Sequence, residues 1–177
     1  GIQSNGISAC VKHFAANSQE LRRMSSDSIL DERTLREIYL TGFEIAVKEA
    51  APKSIMSSYN RINGVYANEN PHLLQEILRK EWGFDGFVVS DWGASNDHAA
   101  GVRCGSNLEM PNPGADSAIT LVNAVRSGQL PESALDDRLL ELLKVVFDVS
   151  KAVANAPKNG DYEAHHALAA KCAAESI

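Results

Sequence analysis

No apolar run in this chain is long enough to cross a membrane; the longest are strand-length. Low-complexity tracts and heptads are also missing. Cysteine is scarce and unpatterned. Cys10, Cys104 and Cys172 are odd in number, far apart and without a CxxC pair. That argues against a disulfide scaffold or a structural zinc site and leaves three buried thiols as the expectation. Histidine spacing of the HxH or HExxH type is absent, so neither a catalytic metal nor a cofactor is expected. The adjacent pair His165-His166 reads as a solvated helix face. Positive charge is outnumbered, 17 Lys and Arg against 23 Asp and Glu, for a net charge of -6 with no basic stripe. Nucleic acid and anionic membranes are therefore not expected partners.

What is present is the composition of a folded domain, 44% hydrophobic and 23% charged over 177 residues. Short apolar runs alternate with amphipathic helical patterns. Ala9 to Phe14 reads as a first strand, Gln19 to Asp27 as a polar loop, and the stretch from Asp31 to Pro52 as a helix capped by Asp31. Ser54 to Tyr59 is a second strand. Asn60 to Asn68 is a loop turning at Asn63-Gly64. Asn70-Pro71 opens a helix whose apolar face is Leu73, Leu74, Ile77, Leu78 and Trp82, closed by Gly83. Phe87 to Asp91 is the third strand, apolar on both faces as a buried parallel strand should be. A short helix around His98 to Val102 follows, then a weaker fourth strand at Ser106 to Met110. Asp116 is expected to cap a helix ending at Ser127. A long helix runs from Pro131-Glu132 to about Ala154, with Leu135, Leu139, Leu142, Val146 and Val149 on one side.

Strict alternation implies parallel strands with crossover helices. A GxGxxG turn after the first strand is missing, which speaks against a dinucleotide-binding sheet. The expected fold class is α/β: four parallel βα units, half of a (β/α)₈ TIM-type barrel, over residues 1–154. A linker at 155–161 and the first helix of a further domain at 162–177 complete the expected organisation. A half barrel leaves open sheet edges, so the expected partners are the remainder of a longer parent chain or a second copy closing a symmetric barrel. The chain opens at Gly1 without an initiator Met and stops at Ile177 within a helical pattern. It is read as a segment of a longer protein, and no compartment is assigned.

In a (β/α)₈ barrel the active site lies at the C-terminal strand ends. Those ends carry Lys12-His13, Tyr59-Asn60, Asp91-Trp92 and Glu109-Met110. Asp91 ends an uncharged strand, so it is either a rigidly placed functional carboxylate or a cap for the next helix. Trp92 beside it suits the C–H face of a sugar, or simply packs in the core. Lys12 and His13 both donate hydrogen bonds and suit a polyhydroxylated ligand; the alternatives are a solvated lysine and a core histidine. Arg23, Met56 and Tyr59 are weaker candidates by themselves.

Together, the strings Cys10-Val11-Lys12-His13-Phe14-Ala15-Ala16-Asn17-Ser18-Gln19-Glu20, Arg23-Met24, Met56-Ser57-Ser58-Tyr59-Asn60-Arg61-Ile62-Asn63-Gly64, Trp82-Gly83-Phe84-Asp85-Gly86-Phe87-Val88-Val89-Ser90-Asp91-Trp92 and Leu108-Glu109-Met110-Pro111 resemble the family 3 glycoside hydrolases, in particular their bacterial β-glucosidases. The resemblance runs almost end to end and agrees in motif order. It implies a barrel, a linker and an α/β sandwich domain, with this chain covering the later half of the barrel, the linker and one sandwich helix. It implies that Asp91 is the nucleophile of a retaining mechanism. Lys12, His13 and Arg23 would bind sugar hydroxyls, Tyr59 would sit by the nucleophile, and Met56 and Trp92 would line the pocket. The substrate implied is a small carbohydrate, a terminal β-glucoside.

Two departures bear on this. The family's acid/base Glu lies in the sandwich domain, so no residue here takes that role, and Glu20 and Glu109 are read as structural or orienting. The hexosaminidase branch carries an Asp-His dyad in a glycine-rich loop after the Lys-His-Phe string. The loop from Ala15 to Ser26 has neither His nor Gly, which disfavours that branch. The competing functions are a β-xylosidase or other β-glycosidase, a barrel enzyme forming a Schiff base at Lys12, and a sugar-binding piece without catalysis.

Overall fold

The computed structural model describes residues 1–155 and 160–176. After a short 3₁₀ turn come β1 (Cys10–Phe14), the two-residue β2 (Asp27–Ser28) and α1 (Glu32–Thr34). A π-helical stretch, Leu35–Leu40, joins α1 to α2 (Thr41–Ala50). Next are β3 (Ser54–Ser57), β4 (Arg61–Ile62), β5 (Val65–Tyr66), a 3₁₀ turn at Ala67–Glu69 and a π-type helix at His72–Glu81. The chain continues through β6 (Phe87–Val89), α3 (His98–Cys104), α4 (Ala115–Arg126), α5 (Glu132–Ala154) and α6 (Tyr162–Glu175). Among the described residues no helix is long and apolar enough to cross a membrane.

The three long-range strands form a parallel sheet in the order β1-β3-β6. Ile55 pairs with Val11 on one side and Val88 on the other. That register lines up the strand ends and places Lys12-His13, Met56 and the segment after Val89 along one rim. Helical segments between the strands cover the sheet. Phe14 packs edge-on against Phe43 at 5.0 Å and lies 5.8 Å from Trp82. Leu74, Ile77, Leu78, Ile55 and Val88 are fully buried beside it; each such side chain contributes roughly 1.5–3 kcal/mol by leaving water.

Local signals act where expected. Asp31 caps its helix, accepting from the Thr34 N–H at 2.8 Å. Asn70 accepts from Leu73 N–H at 3.1 Å, with Pro71 next in line. Asn63 and Gly64 both have positive φ, 51° and 88°, the geometry of a two-residue hairpin turn.

Several expectations are corrected. The fourth strand is reduced to an isolated parallel bridge between Val89 and Leu108. Asn107 explains the shortening: its side-chain oxygen takes the Val88 N–H at 2.7 Å, while its amide donates to Arg138 O and Glu141. A second small sheet, β2-β4-β5, lies where loops are expected, because two-residue strands leave no periodicity to read. Asp116 does not cap α4; Gly114 precedes that helix and Asp116 sits in its first turn. On α5 the buried positions are Arg138 and Val145, while Leu139 and Val146 are exposed. Contacts from outside the helix fix this face: Asn107 donates to Arg138 O at 2.9 Å, and Arg79 pairs with Glu141 at 2.9 Å. Of the three thiols only Cys104 is buried; Cys10 and Cys172 are exposed. Most of the expected linker, 156–159, lies outside the described residues. α6 is exposed along its length, including His165 and His166, and Asp161 caps it by accepting from Ala164 N–H at 3.0 Å.

Candidate active site

Asp91 follows β6 by two residues, after Ser90. Its strand is buried at Val88 and Val89, and Ser90 behind it is fully buried and bonded to Met110 in both directions. The carboxylate therefore projects from a rigid base. It does not cap the next helix, since Asp97 fills that position by accepting from the Ala100 N–H at 2.9 Å.

Both carboxylate oxygens have a neighbour. The Tyr59 hydroxyl donates to Oδ1 at 3.0 Å, and His13 Nε2 lies 3.3 Å from Oδ2. The Asp91 side chain is 13% exposed. The Tyr59 phenol is pushed above its ordinary pKa, first by burial and then by the hydrogen bond to Asp91. It remains protonated and a donor at neutral pH. The Arg23 guanidinium stacks over the Tyr59 ring, 4.6 Å from its centroid. Arg23 also donates to Glu20 at 2.9 Å.

The structure thus brings Asp91, Tyr59 and His13 together from three separate strand ends, with Arg23 joining from the loop after β1. Lys12 is exposed beside His13 on β1 and does not enter it; the Lys12–His13 and Phe14–Ala15 peptide bonds are cis. Met56 is partly buried on β3, in register with Val89. Trp92 is half exposed, next to the carboxylate. Glu109 is engaged elsewhere, with His98 Nδ1 and the Ser117 hydroxyl each 2.9 Å from Oε2. It helps line a cavity of about 250 Å³ among α3, α4 and α5 that Asp91 does not line. Glu69 and His98 carry no sequence signal, each being a lone acid or histidine in a polar stretch.

Chemically, a carboxylate held by a phenol and facing an imidazole beside an exposed indole can serve as a nucleophile or as a base. Among the described residues no group of three or more His, Cys, Asp or Glu side chains gathers as a metal site.

The model of the glycosyl hydrolase family 3 N-terminal domain matches residues 1–145. This chain belongs to glycosyl hydrolase family 3. The family 3 chain is 51% identical over 179 residues to thermostable beta-glucosidase B of Acetivibrio thermocellus, covering 100% of this chain and 23% of that relative. It is 45% identical over 177 residues to an exo-alpha-(1->6)-L-arabinopyranosidase of Bifidobacterium longum, again covering 100% of this chain and 23% of the relative. Among solved structures, beta-glucosidase 3B from Thermotoga neapolitana in complex with alpha-D-glucose superposes with a TM-score of 0.89 at 42% identity, over 96% of this chain and 25% of that one. The family 3 chain therefore spans about a quarter of the length of these relatives, and its α/β fold is theirs.

Proposed function

We propose that the protein containing this chain is a retaining β-glucosidase that removes terminal non-reducing β-D-glucosyl residues, with Asp91 as nucleophile. The observation that carries this is the grip on Asp91: Tyr59 at 3.0 Å on one oxygen and His13 at 3.3 Å near the other, at the end of a buried strand. In the first step an Asp91 oxygen bonds to the anomeric carbon while the bond to the aglycone oxygen breaks and that oxygen takes a proton. In the second step water gives up a proton, attacks the same carbon and releases the Asp91 carboxylate. The proton donor and acceptor is a Glu outside this chain. Lys12, His13 and Arg23 hold sugar hydroxyls, and Trp92 and Met56 wall the subsite. Fixed donors favour the distorted ring of the transition state.

In this reading residues 1–154 are the later half of a (β/α)₈ barrel, with the Leu108 bridge standing for the fourth strand. The remainder of the parent chain supplies the other half and the acid/base domain. The glycone is the open alternative, because the Bifidobacterium relative named for arabinopyranose matches this chain over its whole length. A 2-deoxy-2-fluoro-glucosyl inactivator applied to the parent protein, followed by peptide mapping, tests the reading. Label on Asp91 is expected. Label on Glu109, or borohydride trapping of a carbonyl substrate on Lys12, would overturn it.

A further inference from the structure

The segment from Asp91 to Asp97 carries both the carboxylate and Trp92, and within it the Asn96 amide donates to Ala94 O at 3.2 Å. Ala94 N–H donates to Asp91 O at 2.9 Å, and Gly93, with φ of 81°, donates to Met110 O at 3.0 Å. The far end is held from outside. A single oxygen of Glu69, Oε1, accepts the N–H of Asn96 at 2.6 Å and the N–H of Asp97 at 2.8 Å.

Glu69 is itself tied to the end of β3 and to the segment after it that bears Tyr59. It closes the 3₁₀ turn Ala67–Glu69. The neighbouring Asn68 is buried and accepts from the Ser57 hydroxyl at 2.8 Å, and Ala67 N–H donates to Asn60 O at 3.0 Å. The same turn packs closely on α3: a Cβ on Gly101 would lie 3.3 Å from the Asn68 side-chain nitrogen. A continuous set of contacts therefore runs from the end of β3, through Asn68 and Glu69, to the loop after β6.

We propose that Glu69 is a positioning residue that sets the Asp91–Trp92 loop against the Tyr59 strand end through its paired backbone hydrogen bonds. This rests on the reading of Asp91 as nucleophile. The carboxylate sits in a costly place: burial pushes the Glu69 carboxyl above its ordinary pKa, and the two N–H bonds pull the other way. Removing it hands the N–H groups of Asn96 and Asp97, both exposed residues, to solvent and unties the root of the loop. Small displacements of a reacting group are costly, about 100-fold for an ångström.

The test uses the full-length parent with Glu69→Ala and Glu69→Gln, assayed on 4-nitrophenyl β-D-glucoside. Active sites are titrated with the fluoro-glucosyl inactivator, so that kcat is counted per functional site and loss of folded protein does not register. Glu69→Ala is expected to lower kcat about 10- to 100-fold. Glu69→Gln, whose amide oxygen can accept both N–H groups, is expected to stay within about threefold of the parent. An Ala variant with unchanged kcat per titrated site, or a Gln variant as impaired as the Ala variant, would overturn the proposal. Mapping the label separates the two failures: label on Asp91 with an unaffected Ala variant removes only the role of Glu69. Label elsewhere removes the nucleophile reading and the proposal with it.

Discussion

The Tyr59 hydroxyl donates to Oδ1 of Asp91 across 32 residues of sequence, from the end of one parallel strand to the end of its neighbour. The register between Met56 and Val89 makes this meeting possible, because each side chain follows its strand by a few residues. Tyr59 is buried and Asp91 nearly so, so the bond is made in a low-dielectric place where it counts for more than in water.

Tyr59→Phe in the parent protein removes that donor and keeps the ring that stacks on Arg23. A hydrogen bond to a charged group is worth roughly 1.5–3 kcal/mol, so kcat/KM for an aryl glucoside is expected to fall about 10- to 100-fold. Circular dichroism melting should show a nearly unchanged Tm. Full activity in the Phe variant would mean that the bond is incidental.

Asp91→Gly should abolish turnover while leaving the fold intact, since the buried strand behind it is unchanged. Added azide should restore turnover of an activated substrate by occupying the vacated carboxylate space. The product, read by NMR, is expected to be the α-glucosyl azide. Failure of azide to restore any turnover would argue for another nucleophile.

Lys12→Ala and His13→Ala are expected to lower kcat/KM by one or more powers of ten, each costing about 1.4 kcal/mol of transition-state stabilisation. Azide should not rescue either variant, because Asp91 is still there. Unimpaired turnover in His13→Ala would leave its 3.3 Å approach to Asp91 a structural contact alone.

His72 sits between Glu76 and Glu32, at 2.6 and 3.1 Å. Its pKa is raised, first by the hydrogen bond to Glu76 and, against the opposing effect of burial, by that to Glu32. A raised folded-state value means that the charged ring stabilises the fold fully below its unfolded pKa of about 6.5. The contribution is lost as pH climbs through the folded value. The side chain is 42% exposed, so the effect is at most about 1 kcal/mol after solvent screening. Urea melts of the parent and of His72→Gln should differ most below pH 6.5 and converge as pH rises; a difference that grows with pH would reverse the assignment.

Much of the fold is legible in short-range chemistry. Asp31, Asn70-Pro71, Gly83 and Asn63-Gly64 act as cap or turn through their own side chains or their own φ, so the sequence states them outright. Asp116 misleads because a first-turn acid and a cap look alike one residue apart. The face of α5 misleads because a stripe of leucines and valines does not say which side meets the sheet. Leu140 and Phe147 are exposed alongside Leu139 and Val146, while an arginine is buried.

The site divides in the same way. Strand ends bearing Lys12-His13, Tyr59 and Asp91 can be read from apolar runs that stop at polar residues, and the family motifs name the same side chains. That determines which residues reach the rim. Which of them touch is decided by parallel pairing and register, a long-range property that local sequence does not encode. So only the tertiary structure pairs Tyr59 with Asp91, stacks Arg23 on Tyr59, shortens the fourth strand through the side chain of Asn107 and brings Glu69 to the root of the Asp91 loop. Each of these is a contact between segments far apart in the chain, formed when the sheet brings their ends together.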